Sequence, residues 1–292
     1  MTRYTLMVFA GACSFGILST FVKLSYGEGY TAAEISLSQA FCGMLCLWAL
    51  WGATSRTGSR TSVKLPWRER WGLLLTGVTI GLTTFVYYVS VKYIPASVAI
   101  VILMQFTWMG VLLDWIFFGK KPGVAEGVII LLILVGAVLS GGWMKAGEWR
   151  ISVTGILFAL LAALLYAIYI VANSRVGKEV SPLQKSVVIM TGSTLGILLV
   201  NVPVLTAAHL DAGLLKWALF LALFGTIIPP VLFAKGIPRI GATMSAIVMT
   251  AELPVAILCS HFVLHEQLST WQCMGILIML LSIAGLQLRN KI

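Results

Sequence analysis

The chain has 292 residues, of which 59% are hydrophobic and only 10% are charged, and its net charge is +10. About a quarter of the residues of a soluble domain are charged, so this composition excludes an ordinary water-soluble fold. A nucleic-acid partner is also excluded as the reason for the positive charge, because the longest loop, about 54–69, is too short to form a basic face.

Apolar runs long enough to cross about 30 Å of hydrocarbon recur from end to end. They do not alternate apolar and polar residues, as the strands of a membrane barrel would, so they are predicted to be helices. The predicted fold is an all-α membrane protein with ten transmembrane helices in a lipid bilayer. The predicted spans are 4–24, 33–53, 70–91, 96–118, 124–142, 152–172, 183–206, 214–234, 240–264 and 269–288.

Basic residues are concentrated on one side of this predicted topology. If the N-terminus is cytoplasmic, 15 of the 20 lysines and arginines lie in inner segments, among them Arg60, Lys64 and Lys291. Cytoplasmic loops carry such an excess, so both termini are predicted to be cytoplasmic in a multi-pass protein of the cell inner membrane.

Catalytic and metal-binding motifs are not indicated. The five cysteines show no CxxC spacing. His261, His265 and Glu266 stand as HFVLHE, which is not the HExxH arrangement of zinc hydrolases. The GSTLG stretch at 192–196 has threonine where a hydrolase elbow has serine. No nucleotide-binding motif occurs, so neither an enzyme nor a cofactor is predicted.

The two halves of the chain contain similar stretches. YIPASVAIVILMQFTWMGVLLDWIFFGKKP starts at Tyr93, and RIGATMSAIVMTAELPVAILCSHFVLHEQL starts at Arg239. Each is followed by one more glycine-containing span. The chain is therefore predicted to be two five-helix units, 1–143 and 149–288. Because five is odd, the second unit enters the membrane from the opposite side, which makes an inverted repeat of the kind found in secondary transporters.

These features resemble the drug/metabolite transporter superfamily in its ten-helix EamA-type branch. The resemblance rests on the two units, on IPAS and IGAT at the start of the fourth and ninth spans, on AELPV, and on Glu266 twelve residues after Pro254. This chain departs from the pattern in placing Leu253 between the acid and the proline, and in having Trp108 and Lys120 at the corresponding first-half positions. The resemblance implies a central cavity walled by spans 1, 3, 4, 6, 8 and 9, with the fifth and tenth outside, and transport of small metabolites by alternating access.

Glu252 is the main candidate for a binding residue, because it lies about 18 Å into the ninth span. A carboxylate there costs about 2.5–3.5 kcal/mol on insertion scales, which favours a position facing water or a polar partner. A small or weakly polar stripe surrounds it, formed by Ser245, Met249, Ala256 and Cys259. Pro254 is predicted to free a backbone carbonyl near position 250. A structural role, with Glu252 hydrogen-bonded to a neighbouring helix, is the alternative.

In the repeat alignment Glu252 corresponds to Phe106, next to Gln105. Gln105 and Trp108 are three residues apart and are predicted to share a face near the membrane centre. The cavity is therefore expected to be asymmetric, with an acid on one wall and an amide and aromatic rings on the other.

Aromatic residues supply the other candidates. Tyr166 and Tyr169 share a face of the sixth span, whereas Tyr87 and Tyr88 lie in the outer part of the third span and compete with an ordinary interfacial aromatic belt. Pro229 and Pro230 are expected to bend the eighth span.

The sequence thus predicts a secondary transporter of small organic metabolites, such as amino acids or related amphipathic compounds, acting in export and as a monomer or weak homodimer. Proton coupling and the substrate's own gradient both remain as driving forces. Efflux of multiple drugs or cationic compounds is the alternative, since one acid among aromatic rings also suits it.

Overall fold

The computed structural model describes residues 3–56, 65–141, 152–201, 211–265 and 267–289. Arg60, Lys64, Glu266 and Lys291, which the sequence analysis used, lie outside these ranges. The described residues form thirteen α-helices and one π-helical turn, Ala222–Ile227. The helices are α1 (Arg3–Gly27), α2 (Ala32–Arg56), α3 (Trp67–Tyr93), α4 (Ala96–Leu103), α5 (Phe106–Phe118), α6 (Val124–Ser140), α7 (Val153–Arg175), α8 (Pro182–Asn201), α9 (Ala212–Leu221), α10 (Ile228–Ile240), α11 (Ala242–Met249), α12 (Glu252–Leu264) and α13 (Thr270–Arg289).

Ten helical segments account for the predicted spans. Within the described ranges, eight are long and apolar enough to cross a membrane, and two shorter apolar helices, Val124–Ser140 and Thr270–Leu286, complete the set. Three spans are composite, because α4 and α5, α9 and α10, and α11 and α12 each follow one another along a single crossing. The membrane side on which α1 begins is called the N face below, and the opposite side the distal face.

The two halves repeat the same interrupted helix. In the first half, an eight-residue helix (α4), a two-residue break and a thirteen-residue helix (α5) follow Pro95. In the second half the same lengths recur in α11 and α12 after Gly241, which has a positive φ of 82°. The matching lengths agree with the inverted repeat that the sequence predicted.

Helix packing has the same two-fold pattern. α3 lies against α7 and α8 of the second half, and the composite span α9–α10 lies against α1 and α2 of the first. α6 and α13 pack mainly on each other, and this close approach uses Gly136, where a Cβ would lie 2.9 Å from the carbonyl oxygen of Gly275. These two helices therefore stand outside the main bundle, where the resemblance placed the fifth and tenth spans.

The prolines of the eighth span do not interrupt it. Pro229 and Pro230 occupy the first turn of α10, where a helix can lack backbone donors without losing hydrogen bonds. The π turn Ala222–Ile227 directly precedes them. Wide turns of this kind accommodate one extra residue within a helix and are frequent at functional sites.

Candidate functional site

Glu252 lies inside the bundle, at the first position of α12. Its side chain is 4% exposed, and the hydroxyl of Tyr166 on α7 donates a hydrogen bond to its Oε1. The buried acid is thus held in place by a phenol hydroxyl on a neighbouring helix.

The break before Glu252 is a tight turn of 3₁₀ type. The amide nitrogens of Thr250, Ala251 and Leu253 each donate to the carbonyl three residues earlier, at 3.2–3.3 Å. The carbonyl oxygen of Thr250, which would pair with residue 254 in a regular helix, accepts from Leu253 instead. A tighter turn supplies a donor from one residue earlier than the missing proline N–H.

The first half contains the same turn at Met104–Gln105. The amide nitrogens of Gln105 and Thr107 donate to carbonyls three residues earlier, at 3.1 Å. Phe106 follows this turn as Glu252 follows the other one. The two broken helices thus have matching backbones, while only one of them presents an acid.

Aromatic rings enclose the Glu252–Tyr166 pair. The ring of Tyr166 lies 4.7 Å from that of Phe106 and 6.4 Å from that of Phe15, in both cases edge to face. The ring of Tyr169 is stacked on that of Tyr166 at 6.1 Å. These contacts fix the plane of the Tyr166 ring, so its hydroxyl is held toward Glu252.

A cavity of about 60 Å³ opens beside this pair. By the same measure one water needs about 10–15 Å³, so the cavity has room for several waters or a small polar group. Its polar lining includes Glu252, Tyr166, Ser19, Thr83 and Thr84, and its aromatic walls include Phe15, Tyr87 and Tyr88.

The two tyrosines of α3 differ in their hydrogen bonding. The hydroxyl of Tyr88 donates to Oε1 of Gln39 at 3.0 Å. The hydroxyl of Tyr87 is buried and has no hydrogen-bond partner in the described part of the chain. A buried phenol without a partner is costly, so Tyr87 is available to a ligand in the adjoining cavity.

The structure brings together four of the eight predicted site residues. Glu252, Tyr166, Tyr87 and Tyr88 line the one cavity. Tyr169 packs on Tyr166, but its hydroxyl accepts a hydrogen bond from Nδ2 of Asn173 at 3.1 Å, directed toward the N face.

The other three predicted residues lie away from the cavity lining. Met249 is fully buried at the end of α11. Trp108 is 37% exposed, and its Nε1 donates to Oε1 of Gln105 at 2.8 Å. These two side chains share a face, as predicted, but that face is not the one that Phe106 presents to Tyr166.

Several residues at the site were absent from the predicted set. Gly16 of α1 touches the backbone of Glu252, since a Cβ there would lie 2.5 Å from the Glu252 carbonyl oxygen. Phe15, the residue before Gly16 on α1, is brought to the cavity wall by the same contact between helices. Gln39 and Thr226 form a polar link across the bundle, with Nε2 of Gln39 donating to Oγ1 of Thr226 at 3.3 Å. Polar side chains within apolar spans 2 and 8 were the sequence signal for this pair.

Charged groups gather at the N-face end of the bundle. Arg175 of α7 forms an ion pair with Asp114 of α5 at 2.6 Å and lies 4.3 Å over the ring of Phe118. Lys185 is fully buried, and its Nζ donates to the backbone carbonyl of Asn173 at 2.7 Å. The Arg175–Asp114 pair joins the two halves at this end, and the Lys185 bond joins α8 to α7 within the second half.

The distal end is joined by different contacts. Nε1 of Trp217 donates to Oε2 of Glu28 at 2.7 Å. The hydroxyl of Tyr30, in the turn between α1 and α2, donates to Oδ1 of Asp211 at 2.7 Å, and this bond raises the pKa of Tyr30 to about 12. The α1–α2 turn is thereby attached to the beginning of α9.

The chain is similar in sequence and in fold to known proteins. The profile of the EamA-like transporter family matches residues 2–142 and 153–288. A solved crystal structure, 16% identical in sequence, superposes with a TM-score of 0.77 over 96% of this chain and 94% of that chain, which shows that the fold is shared.

Curated relatives are similar over most of the chain. The uncharacterized transporter sll1319 of Synechocystis is 26% identical over 73% of this chain, and the match spans 65% of that relative's length. The threonine/homoserine exporter RhtA of Escherichia coli is 25% identical over 72% of this chain and 71% of its own length. The uncharacterized transporter YcbK of Bacillus subtilis is 22% identical over 98% of this chain and 93% of its own length. Since the family profile matches nearly the whole chain, in two segments that correspond to its two halves, the protein belongs to the EamA-like transporter family.

Proposed function

We propose that this protein exports small amino acids or closely related amphipathic amines, with Glu252 binding the substrate ammonium group. The observation that supports this most directly is a buried carboxylate that lines a cavity and has a hydroxyl as its hydrogen-bond partner. An intramembrane carboxylate of this kind is a functional-site candidate by default. A substrate ammonium is the cation that would complete its hydrogen bonding.

The cavity lining fits the rest of such a substrate. The hydroxyl of Tyr87 can donate to a carboxylate or hydroxyl oxygen, and Phe15 and Leu103 provide apolar contact. The hydroxyls of Ser19 and Thr83 donate to the carbonyls of Gly16 and Thr79, so they offer acceptors to a ligand. No lysine or arginine is among the lining residues within the described ranges. One acid and several neutral acceptors therefore favour a compact molecule that carries an amine.

Export and amino-acid substrates are supported by similarity. RhtA, which aligns with 72% of this chain, is named for export of threonine and homoserine. The excess of basic residues on the N face supports cytoplasmic termini in the bacterial inner membrane. A monomer or weak homodimer would suffice, because one chain supplies all the walls of the cavity.

In the proposed mechanism, the units 1–143 and 149–288 move relative to each other so that the cavity opens to one side of the membrane at a time. Tyr166 holds Glu252 in position when the cavity is empty. An arriving ammonium group replaces the Tyr166 hydroxyl at Oε1, and the units then rock so that the cavity faces the other side. Protonation of Glu252 after release would couple the cycle to a proton gradient, whereas an unprotonated return would leave the substrate gradient as the driving force.

Counterflow in liposomes tests this function. Liposomes that contain the purified protein and are loaded with unlabelled threonine or homoserine should accumulate the labelled compound. Glu252→Gln should lower that uptake about 10–100-fold, because hydrogen bonds to a charged group contribute about 1.5–3 kcal/mol. Glu69→Gln is the matched control, since Glu69 is exposed in the first turn of α3.

Lipophilic cations are assayed in parallel. If they exchange while threonine and homoserine do not, the protein is a cationic-compound efflux transporter and the amino-acid proposal fails. If Glu252→Gln transports amino acids as well as the parent protein at every pH, Glu252 is a structural residue.

A further inference from the structure

A second, smaller cavity lies beside the one that contains Glu252. Its volume is about 10 Å³, close to the space that one water or one hydroxyl group requires. Its lining is rich in polar groups, although it lies among helices that cross the membrane. The polar residues are Ser36, Gln39, Thr84, Ser193 and Thr226, from α2, α3, α8 and the π turn.

Hydrogen-bonding capacity remains unused in this cavity. Gln39 accepts from Tyr88 and donates to Thr226, but the hydroxyl of Thr226 donates to no described residue. The hydroxyl of Ser193 has no hydrogen-bond partner within the described ranges, although Ser193 is only 6% exposed. The hydrogen of the Thr226 hydroxyl and the whole Ser193 hydroxyl therefore remain available to a polar group that enters the cavity.

Two glycines let the helices around this cavity approach one another closely. Gly225 lies in the π turn, and a Cβ there would lie 2.6 Å from Nε2 of Gln39, so only glycine lets the amide reach Thr226. Gly81 plays a similar part on α3, where a Cβ would lie 2.8 Å from Oγ of Ser193. The two hydroxyls are therefore positioned by close helix approaches.

The two cavities share part of their walls. Phe15, Ile80 and Thr84 line both of them. The ring of Phe15, stacked on that of Phe233 at 5.7 Å, forms part of the wall of each cavity. Tyr88 lines the larger cavity and hydrogen-bonds Gln39 in the smaller one, which adds a polar connection.

The chemistry of the small cavity selects a neutral group. All its polar lining consists of hydroxyls and one amide, and no ionisable residue is among the lining residues. A charged group would be left without a counter-ion there, which is costly in a low-dielectric interior. A hydroxyl can both accept from Thr226 and pair with Ser193.

We propose that the small cavity is a second subsite that binds the side-chain hydroxyl of the substrate, with Ser193 and Thr226 as the specificity-determining residues. This inference rests on the proposed function, in which Glu252 binds the ammonium group. The substrate class becomes a short amino acid or amine with a hydroxyl a few bonds from the nitrogen.

Paired ligands that differ only in the hydroxyl test this subsite. Homoserine and 2-aminobutyrate share every other group. Binding of each to the purified full chain, measured by calorimetry or thermal shift, should favour homoserine by at least about tenfold in the parent protein. Ser193→Ala and Thr226→Val should each reduce that preference severalfold, mainly by weakening homoserine binding. Ser186→Ala is the matched control, because Ser186 is buried on the same helix as Ser193 but lines neither cavity, and its hydroxyl donates to the carbonyl of Pro182 at 2.8 Å.

The outcomes separate the subsite from the proposed function. Equal binding of both compounds by the parent protein, lost in Glu252→Gln, overturns the hydroxyl subsite and leaves the amine site standing. An unchanged preference in Ser193→Ala and Thr226→Val also overturns the subsite. A parent protein that binds neither compound overturns the subsite and the proposed substrates together.

Discussion

Replacing Gly16 with alanine should displace the acid at the centre of the bundle. A Cβ at this position would lie 2.5 Å from the carbonyl oxygen of Glu252 and 2.9 Å from Cβ of Val255. Carbon–oxygen contacts are normally about 3.3 Å or longer, so the shortfall is about 0.8 Å. This carbonyl oxygen belongs to the backbone and cannot rotate away, so α1 and α12 must separate by a comparable amount.

The expected cost follows from this overlap. Overpacking a well-filled interior destabilises a protein by about 1–3 kcal/mol, partly offset by the gain of about 1 kcal/mol when glycine in a helix becomes alanine. Gly16→Ala should therefore lower the thermal midpoint in detergent and lower substrate counterflow at least about tenfold, since Glu252 no longer faces its cavity in the same position.

Gly52→Ala provides the reference for this experiment. Gly52 lies within α2, and a Cβ there would meet nothing within 4 Å. This variant should be as stable as the parent protein or slightly more so, with unchanged counterflow. If Gly16→Ala behaves in the same way as Gly52→Ala, the close contact between α1 and α12 does not hold the site, and the argument is refuted.

Three further predictions concern other contacts. Tyr166→Phe keeps the ring packing but removes the donor to Glu252; substrate affinity in a binding titration should change about 10-fold or more, and an unchanged affinity would show that the hydroxyl does not position the acid. Lys185→Ala removes the bond to the carbonyl of Asn173 and leaves a void, so the free energy of unfolding should fall by about 2 kcal/mol, and an undiminished thermal midpoint would contradict this. Trp108→Phe should leave counterflow within about twofold of the parent protein, because the indole lies away from the cavity; a large loss would place Trp108 on the substrate path.

The membrane spans and the importance of Glu252 could be predicted from the sequence, because long apolar runs and a charge within one of them are both strong signals in a membrane protein. A run of about twenty apolar residues has few alternatives to a membrane helix, and a lone carboxylate in such a run must find a polar neighbour. Tyr166 was predicted from its helix face, and the structure places its hydroxyl on Glu252. The pairing itself depends on the approach of α7 to α12, which no local pattern encodes.

The faces of Gln105 and Trp108 illustrate what local patterns miss. The 3₁₀ turn at Met104–Gln105 advances the chain by about 120° per residue instead of 100°, so two such residues rotate the following helix by about 40°. Neither glycine nor proline marks this turn in the sequence. Beyond the turn, Phe106 and Trp108 lie two residues apart in α5 and therefore point about 200° apart, so the helix that turns Phe106 to Tyr166 turns Trp108 away.

The polar link through Gln39 and Thr226 was missed for a different reason. Each residue is one uncharged polar group within an apolar span, and the two are 187 positions apart. Only the packing of α2 against the π turn brings them together. Long-range polar pairs of this kind require the tertiary arrangement, whereas Glu252 stood out by its charge alone.

The π turn at Ala222–Ile227 affects how the helix after it faces α1. One residue added to a regular α-helix would rotate everything beyond it by about 100°, whereas a wide turn holds the extra residue within itself. Phe233 and Gly236 therefore keep their contacts with Gly11 and Val8 of α1 although the span contains one residue more than a regular helix needs. The same turn could lose that residue and leave these contacts in place.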